Sequence, residues 1–299
     1  MASASSALIA HTTNLDLVIR HVLAGLGQGI HAGRERGAGV EFSEYRAYAP
    51  GDEWRRVDWK LLARADRYYV REAERDSHVA VWLVLDASAS MMEPSRSMPG
   101  LDKLAYARTL LGCVAAIAQR QGDAFGLVVL SGGRAQLVPA ARGPRQLQRV
   151  LAKLNAARAE GDLPDAAVLK SGLRFAQSPA LVCAASDFLD FPSPLSEALL
   201  RLRHMRHDVR LACLQTEAEC TGGFDADPAY RDPERDAGVF RFGADLREGY
   251  LRNRERHFAA VAAACRASDV PFVAARIEQA PGEILRGLLR PLLHQAGRR

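Results

Sequence analysis

Residues 79–92 read VAVWLVLDASASMM, an unbroken apolar run that ends on an acid and then alternates alanines with serines. Apolar residues without a polar interruption are the pattern of a strand covered on both faces, which implies a parallel sheet with helices above and below. Similar runs recur as FGLVVL at 125–130, ALVCAAS at 180–186, VRLACL at 209–214 and VPFVAA at 270–275. Between them the apolar residues switch to three-four spacing. From Lys103 to about Gln119, the side chains of Leu104, Ala107, Leu111, Val114 and Ala118 share one helical face, and Asp102 is placed to cap the first turn. Further helices are expected around 147–154, 167–175, 195–205 and 244–265, with one from Leu15 to Leu26 capped by Asn14. Strand and helix alternate, so the expected fold is α/β: a doubly wound, mostly parallel sheet.

Two regions stand outside this alternation. Residues 1–77 are expected to form an N-terminal helix and an extension rich in aromatics and arginine, packed on a main domain over 78–292. Residues 216–243, rich in Gly, Asp and Pro, read as an irregular insertion with a short hairpin.

Composition narrows the function classes. A hydrophobic content of 48% is ample for a core in 299 residues. The net charge of +5 rests on arginine, because lysine occurs only at Lys60, Lys103, Lys153 and Lys170. These cations are interleaved with acids, as in RDPERDAG and REGYLRNRERH, which argues against a stripe that could neutralise nucleic-acid phosphates. The five cysteines include no CxxC pair, and Cys113, Cys183 and Cys213 lie in apolar runs, as core thiols of a reducing compartment do. The first residues, MASASSALIAHTTNLD, lack a basic leader followed by a long apolar stretch, and no run approaches the ~18 apolar residues of a membrane span, so the cytoplasm is expected.

The chemistry concentrates after the first buried strand. In an open parallel sheet, ligands sit beyond the carboxyl ends of strands, where Asp86 stands. Alternate residues of an extended loop point the same way, so Asp86, Ser88 and Ser90 can converge while Ala87 and Ala89 stay small. One carboxylate and two hydroxyls are hard-oxygen donors suited to Mg²⁺ or Mn²⁺, and Asp187, at the end of another strand, is expected to complete the set. Such a site leaves coordination positions open.

These residues resemble the metal-ion-dependent adhesion site of von Willebrand factor A domains, in which a DxSxS loop is joined by a Thr from a second loop and an Asp from a third. The second loop here, AEGDLPDA at 159–166, has no Thr, and Asp162 or Asp165 is its nearest oxygen donor. Either a carboxylate substitutes, Asp162 being the candidate, or the site has lost a ligand and binds its cation weakly.

A second resemblance covers more of the chain. Phe42, Glu44, Arg46 and Tyr48, then Gly51-Asp52, then Arg55 or Arg56 before Val57-Asp58-Trp59, then Ala63-Arg64, precede the DxSxSM loop. This ordered string is similar to the signature of the bacterial family called domain of unknown function 58. Lys103, Gly122-Asp123, Ser186-Asp187-Phe188 and His207-Asp208-Val209 extend the likeness. It implies a von Willebrand factor A-like domain with a family-specific N-terminal element. It also implies an association with a MoxR-type AAA+ ATPase in assembling or remodelling a client protein. In physical terms, Arg46, Arg55, Arg56 and Arg64 among Glu44, Asp52 and Asp58 can form bidentate pairs, with Trp54 and Trp59 as apolar anchors. Arg46, Asp52, Arg55, Asp58, Trp59 and Arg64 are therefore either an internal scaffold or a docking surface.

Catalytic alternatives are weaker. Asp58-x-Lys60 has the composition of a Mg²⁺-dependent nuclease core but lacks a long apolar strand to carry it. Ser88 after a strand resembles a hydrolase nucleophile, but the sharp strand-to-helix turn is replaced by MMEPSRSMPG at 91–100. The expected function is a non-catalytic, metal-dependent interaction module, with a metal-independent scaffold as the alternative.

Overall fold

The computed structural model describes residues 4–12, 14–30, 44–47, 68–72, 80–174, 178–224, 229–230, 240–241 and 244–290. The chain divides into two compact units, residues 29–78 and the remainder. In the smaller unit, β1 (Glu44–Ala47) pairs antiparallel with β2 (Tyr69–Glu72), which sets Arg46 opposite Val70. Asp52, Arg55, Asp58, Trp59 and Arg64 lie outside the described residues.

The larger unit is built on a six-stranded sheet. Its strands are β3 (Ala80–Asp86), β4 (Phe125–Ser131), β5 (Arg134–Ala141), β6 (Ala180–Ser186), β7 (Asp208–Gln215) and, after the short antiparallel pair β8 (Ala229–Tyr230) and β9 (Phe240–Arg241), β10 (Phe272–Arg276). The order across the sheet is β10-β7-β6-β3-β4-β5. All neighbours are parallel except β4 and β5, so the expected doubly wound, mostly parallel sheet is the fold the chain adopts.

Helices cover both faces, and strand parity decides which core each side chain joins. Val81, Leu83 and Leu85 face one core, and Trp82 and Val84 face the other. The first core is closed by α1 (Ala4–His11), α2 (Leu15–Ile30), α3 (Lys103–Gln121), α4 (Pro144–Ala156) and, last in the chain, α9 (Pro281–Leu288). The second is closed by α5 (Ala166–Gly172), α6 (Pro194–His204) and α8 (Ala244–Ala267), the short α7 (Glu217–Thr221) intervening in sequence. Asp102 caps α3 by accepting from Ala105 N at 2.6 Å, and Gly122 ends that helix in the left-handed conformation, as its sequence predicts.

Ile9, Val18, Ile19, Val22, Leu23 and Leu26 are buried in the first core. The N-terminal helices therefore belong to the main unit, and the smaller unit runs from Gly29 to His78. The insertion at 216–243 begins with the helix Glu217–Thr221 and contains the β8–β9 pair. Cys113, Cys183, Cys213 and Cys265 are buried free thiols. No helix among the described residues is long and apolar enough to cross a membrane.

One strand glycine has a steric reason. Gly126 on β4 stands opposite Trp82 on β3, and a Cβ at 126 would lie 2.4 Å from the indole ring. Gly126→Ala is expected to destabilise the protein by about 1–3 kcal/mol through this overpacking. Urea unfolding checks it, and a neutral result would mean that the indole shifts freely.

Candidate metal centre

The chain leaves β3 for β4 on one side and later returns as β6 on the other, so Asp86 sits where the winding reverses, the usual ligand position of an open α/β sheet. Ala87 N donates to Leu130 O at 2.8 Å, holding the start of the loop to β4. Ala89 N donates to Gly161 O at 2.9 Å and Glu160 N to Ala87 O at 3.1 Å, which ties the second loop to the first. A 3-10 turn, Ala89–Met92, then carries the chain away.

Inside this frame the expected oxygens meet. Asp86 Oδ1 accepts from Ser88 N at 2.8 Å and from Ser88 Oγ at 2.7 Å, and the Ser88 and Ser90 hydroxyls are 3.2 Å apart. Asp86 Oδ2 accepts from Ser186 Oγ at 2.5 Å. All four residues are buried. A cavity of about 10 Å³ lined by Ser88, Ser90, Ser186, Asp187 and Leu163 lies beside them, the room that one water-sized sphere needs.

Asp187 lines the same cavity, but its carboxylate is engaged elsewhere. Lys103 Nζ, the first residue of α3, donates to Asp187 Oδ2 at 2.8 Å and to Glu219 Oε1 at 2.9 Å, and the lysine is fully buried. Glu219 is fixed in turn by a capping box in which its carboxylate accepts from Thr216 N at 2.6 Å. Strand parity explains the split. Residues 182 and 184 of β6 face the second core while 183 and 185 face the first, so Ser186 follows Asp86 and Asp187 turns toward α3.

Asp162, the candidate for the missing Thr ligand, does not line the cavity. It is exposed, its backbone carbonyl accepts from Gly133 N at 2.9 Å, and Leu163 rather than Asp162 lines the cavity. Asp165 is used as the cap of α5, accepting from Val168 N at 2.8 Å. Two contributors outside the expected ligand set are Ser186 and Lys103, and counting alternate residues along β6 is the signal that would have found the serine.

The electrostatics are uneven. Burial, and then the charge on Asp187, push the Asp86 carboxyl up to about 6, against the hydrogen bonds from Ser186 and Ser88. Burial works against the Lys103 ammonium, but Asp187 and Glu219 more than offset it and hold its pKa above the ordinary lysine value. Lys103 is thus shared between the Asp187 and Glu219 carboxylates and leaves the cluster net negative, whereas among the described residues no basic side chain pairs with Asp86. The Ser88, Ser90 and Ser186 residues line the cavity together with Asp187 and Asp190, while the Asp86 carboxylate is bonded to Ser88 and Ser186 from outside that lining, and hard oxygens of this kind are the donors a small cation takes. Among the described residues no three His, Cys, Asp or Glu side chains cluster as metal ligands, so the hydroxyls must supply much of any coordination.

A pH dependence follows. The folded pKa of Asp86 lies above its unfolded value of 3.8, so the stability contributed by its protonation is complete below about pH 4 and is lost as pH rises through 6. In EDTA, Asp86→Asn is therefore expected to exceed wild type in stability at pH 7 by up to about 3 kcal/mol, with the gap closing near pH 4. Denaturant unfolding across that range measures it. A gap independent of pH would contradict the origin assigned to it.

The parallel sheet with one antiparallel edge and the DxSxS loop at its switch point are the arrangement that the sequence resemblance to von Willebrand factor A domains implies. The chain belongs to the family described as protein of unknown function DUF58, whose model matches residues 44–260. It is 29% identical over 280 residues to the uncharacterized proteins Rv1480 of Mycobacterium tuberculosis and Mb1516 of Mycobacterium bovis, a span covering 91% of this chain and 86% of each relative. Among solved structures it is similar to BatB from Bacteroides thetaiotaomicron, with a TM-score of 0.44 and 15% identity over 70% of this chain and 98% of that one. It is also similar to the SpRpn10 VWA domain, with a TM-score of 0.42 and 10% identity over 70% of this chain and 94% of that one.

Proposed function

We propose that this protein is a non-catalytic interaction module in which Mg²⁺ or Mn²⁺, held by Asp86, Ser88 and Ser90, bridges to an acidic side chain of a protein partner. The observation that carries the reading is the buried Asp86 carboxylate, which is bonded to serines that line a small cavity and has no basic side chain paired with it among the described residues. The cation supplies fixed positive charge with open coordination, and the loop serines orient the carboxylate toward it. Asp187, tied to Lys103, acts from outside the immediate ligand set and keeps the cavity electronegative. Ser88 donates to a carboxylate rather than to a histidine, which favours binding over nucleophilic chemistry. The buried free thiols suit the cytoplasm.

The family resemblance suggests a MoxR-type AAA+ ATPase and its client as partners. In a pull-down with that ATPase, wild type is expected to retain it in Mg²⁺ and release it in EDTA, and Asp86→Ala is expected to fail in both. A second reading has one observation in its favour: the Asp187 carboxylate already has an ammonium partner in Lys103. On that reading the module needs no metal and recognises partners through Arg46, Asp52, Arg55, Asp58, Trp59 and Arg64. Retention in EDTA that is lost in Trp59→Ala would select it.

A further inference from the structure

Helices α5 and α6 leave between them a groove of about 320 Å³ that the proposed cation site does not use. Leu169, Leu173 and Leu202 form its apolar floor, and Met205, 57% exposed, extends that floor at one end. Ala166 and Ala198 line it with no more than a methyl group each, which keeps the groove open where a larger side chain would fill it. On α6 the lining residues 194, 198, 201, 202 and 205 recur at three-four spacing and therefore share one face.

The rim has a sign. Lys170, Arg174 and Arg201 border the groove against the single acid Glu197, and all four are exposed. Among the described residues none of the three cations has an ion-pair partner within 4.0 Å. An apolar trough edged by uncompensated positive charge complements a segment that is apolar on one face and acidic on its flanks. The 11 residues of α6 span about 16 Å, which matches about three helical turns with anchors at i, i+3 or i+4, and i+7.

We propose that this groove docks an acidic amphipathic helix of a protein partner. Leu169, Leu173, Leu202 and Met205 receive its apolar anchors, and Lys170, Arg174 and Arg201 pair with its carboxylates. Ala166 and Pro194, which line the groove, follow Leu163 and Ser193 of the proposed cation cavity by three residues and by one. An acidic partner thus suits both features, yet docking in the groove requires no metal.

The test is a selection from a displayed library of random 14-residue peptides against the purified full-length protein in EDTA. The expected outcome is enrichment of net-negative peptides with apolar residues at helical spacing. Their affinity should fall at least tenfold for Ala198→Trp, which fills the groove, and for the double variant Lys170→Glu/Arg201→Glu, while Asp86→Ala binds as wild type does. The charge reversal changes two exposed positions and leaves the core intact, so a loss there is not a folding defect. No enrichment, enrichment without an acidic bias, or peptides indifferent to both variants would overturn the proposal. Loss of peptide binding in Asp86→Ala would do so as well, by placing the peptides at the cation site. The EDTA condition keeps this outcome separate from the fate of the metal reading.

Discussion

Lys103→Met is expected to destabilise the protein by about 3–5 kcal/mol, the loss typical of a buried ion network deprived of one partner. The lysine is buried and holds Asp187 and Glu219 at 2.8 and 2.9 Å, so methionine preserves the apolar stem while leaving the buried Asp187 and half-buried Glu219 carboxylates without their counter-charge. For a unit of this size the melting temperature should drop by roughly 10 °C. Adding Asp187→Asn to Lys103→Met should recover part of the loss, because one uncompensated charge is removed with the other, and a double-mutant cycle reads that coupling. A single-variant loss below about 1 kcal/mol would mean that water rather than the ammonium stabilises these carboxylates.

Mg²⁺ at a hundred times its dissociation constant is expected to stabilise wild type by about 2.7 kcal/mol, a rise of roughly 5–10 °C in the melting temperature, and to leave Asp86→Ala unmoved. Ser88→Ala and Ser90→Ala should each reduce the effect, since their hydroxyls converge with Asp86. Asp187→Asn should weaken the response less than Asp86→Ala does, because the Asp187 carboxylate is already bonded to Lys103. If Asp187→Asn proves the more damaging, that acid binds the cation directly and the ion pair must open when metal arrives.

Much of the fold is legible in the chain because most sheet strands are continuously apolar, the mark of burial on both faces. The strand Arg134–Ala141 is not among those runs, because it is an antiparallel edge strand of which only Val138 is buried. Its cue is Gly132-Gly133, a two-residue hairpin turn in which both residues have positive φ, 53° and 69°. The helix Ala4–His11 is concealed by a sequence with little apolar periodicity and is held by Ile9 in the core.

The site is legible where geometry is local. Asp86, Ser88 and Ser90 alternate along one loop, and they converge as alternation predicts. Residues from separate elements are harder to place, because their directions depend on register. The pairing of Leu85 with Ala185 makes Ser186 the partner of Asp86 and sends Asp187 across to the helix that opens with Lys103. Asp187 thus reaches the cavity as a residue already bonded to Lys103, and from the second loop Leu163 rather than Asp162 lines it.

A divalent cation held by the DxSxS loop would be visible in crystals grown with Mn²⁺ and measured for anomalous scattering. One peak is expected within bonding distance of Asp86, Ser88 and Ser90, absent in Asp86→Ala. A cavity without a peak at saturating Mn²⁺, with Ser186 still donating to Asp86 and Lys103 to Asp187, would contradict the proposed cation site.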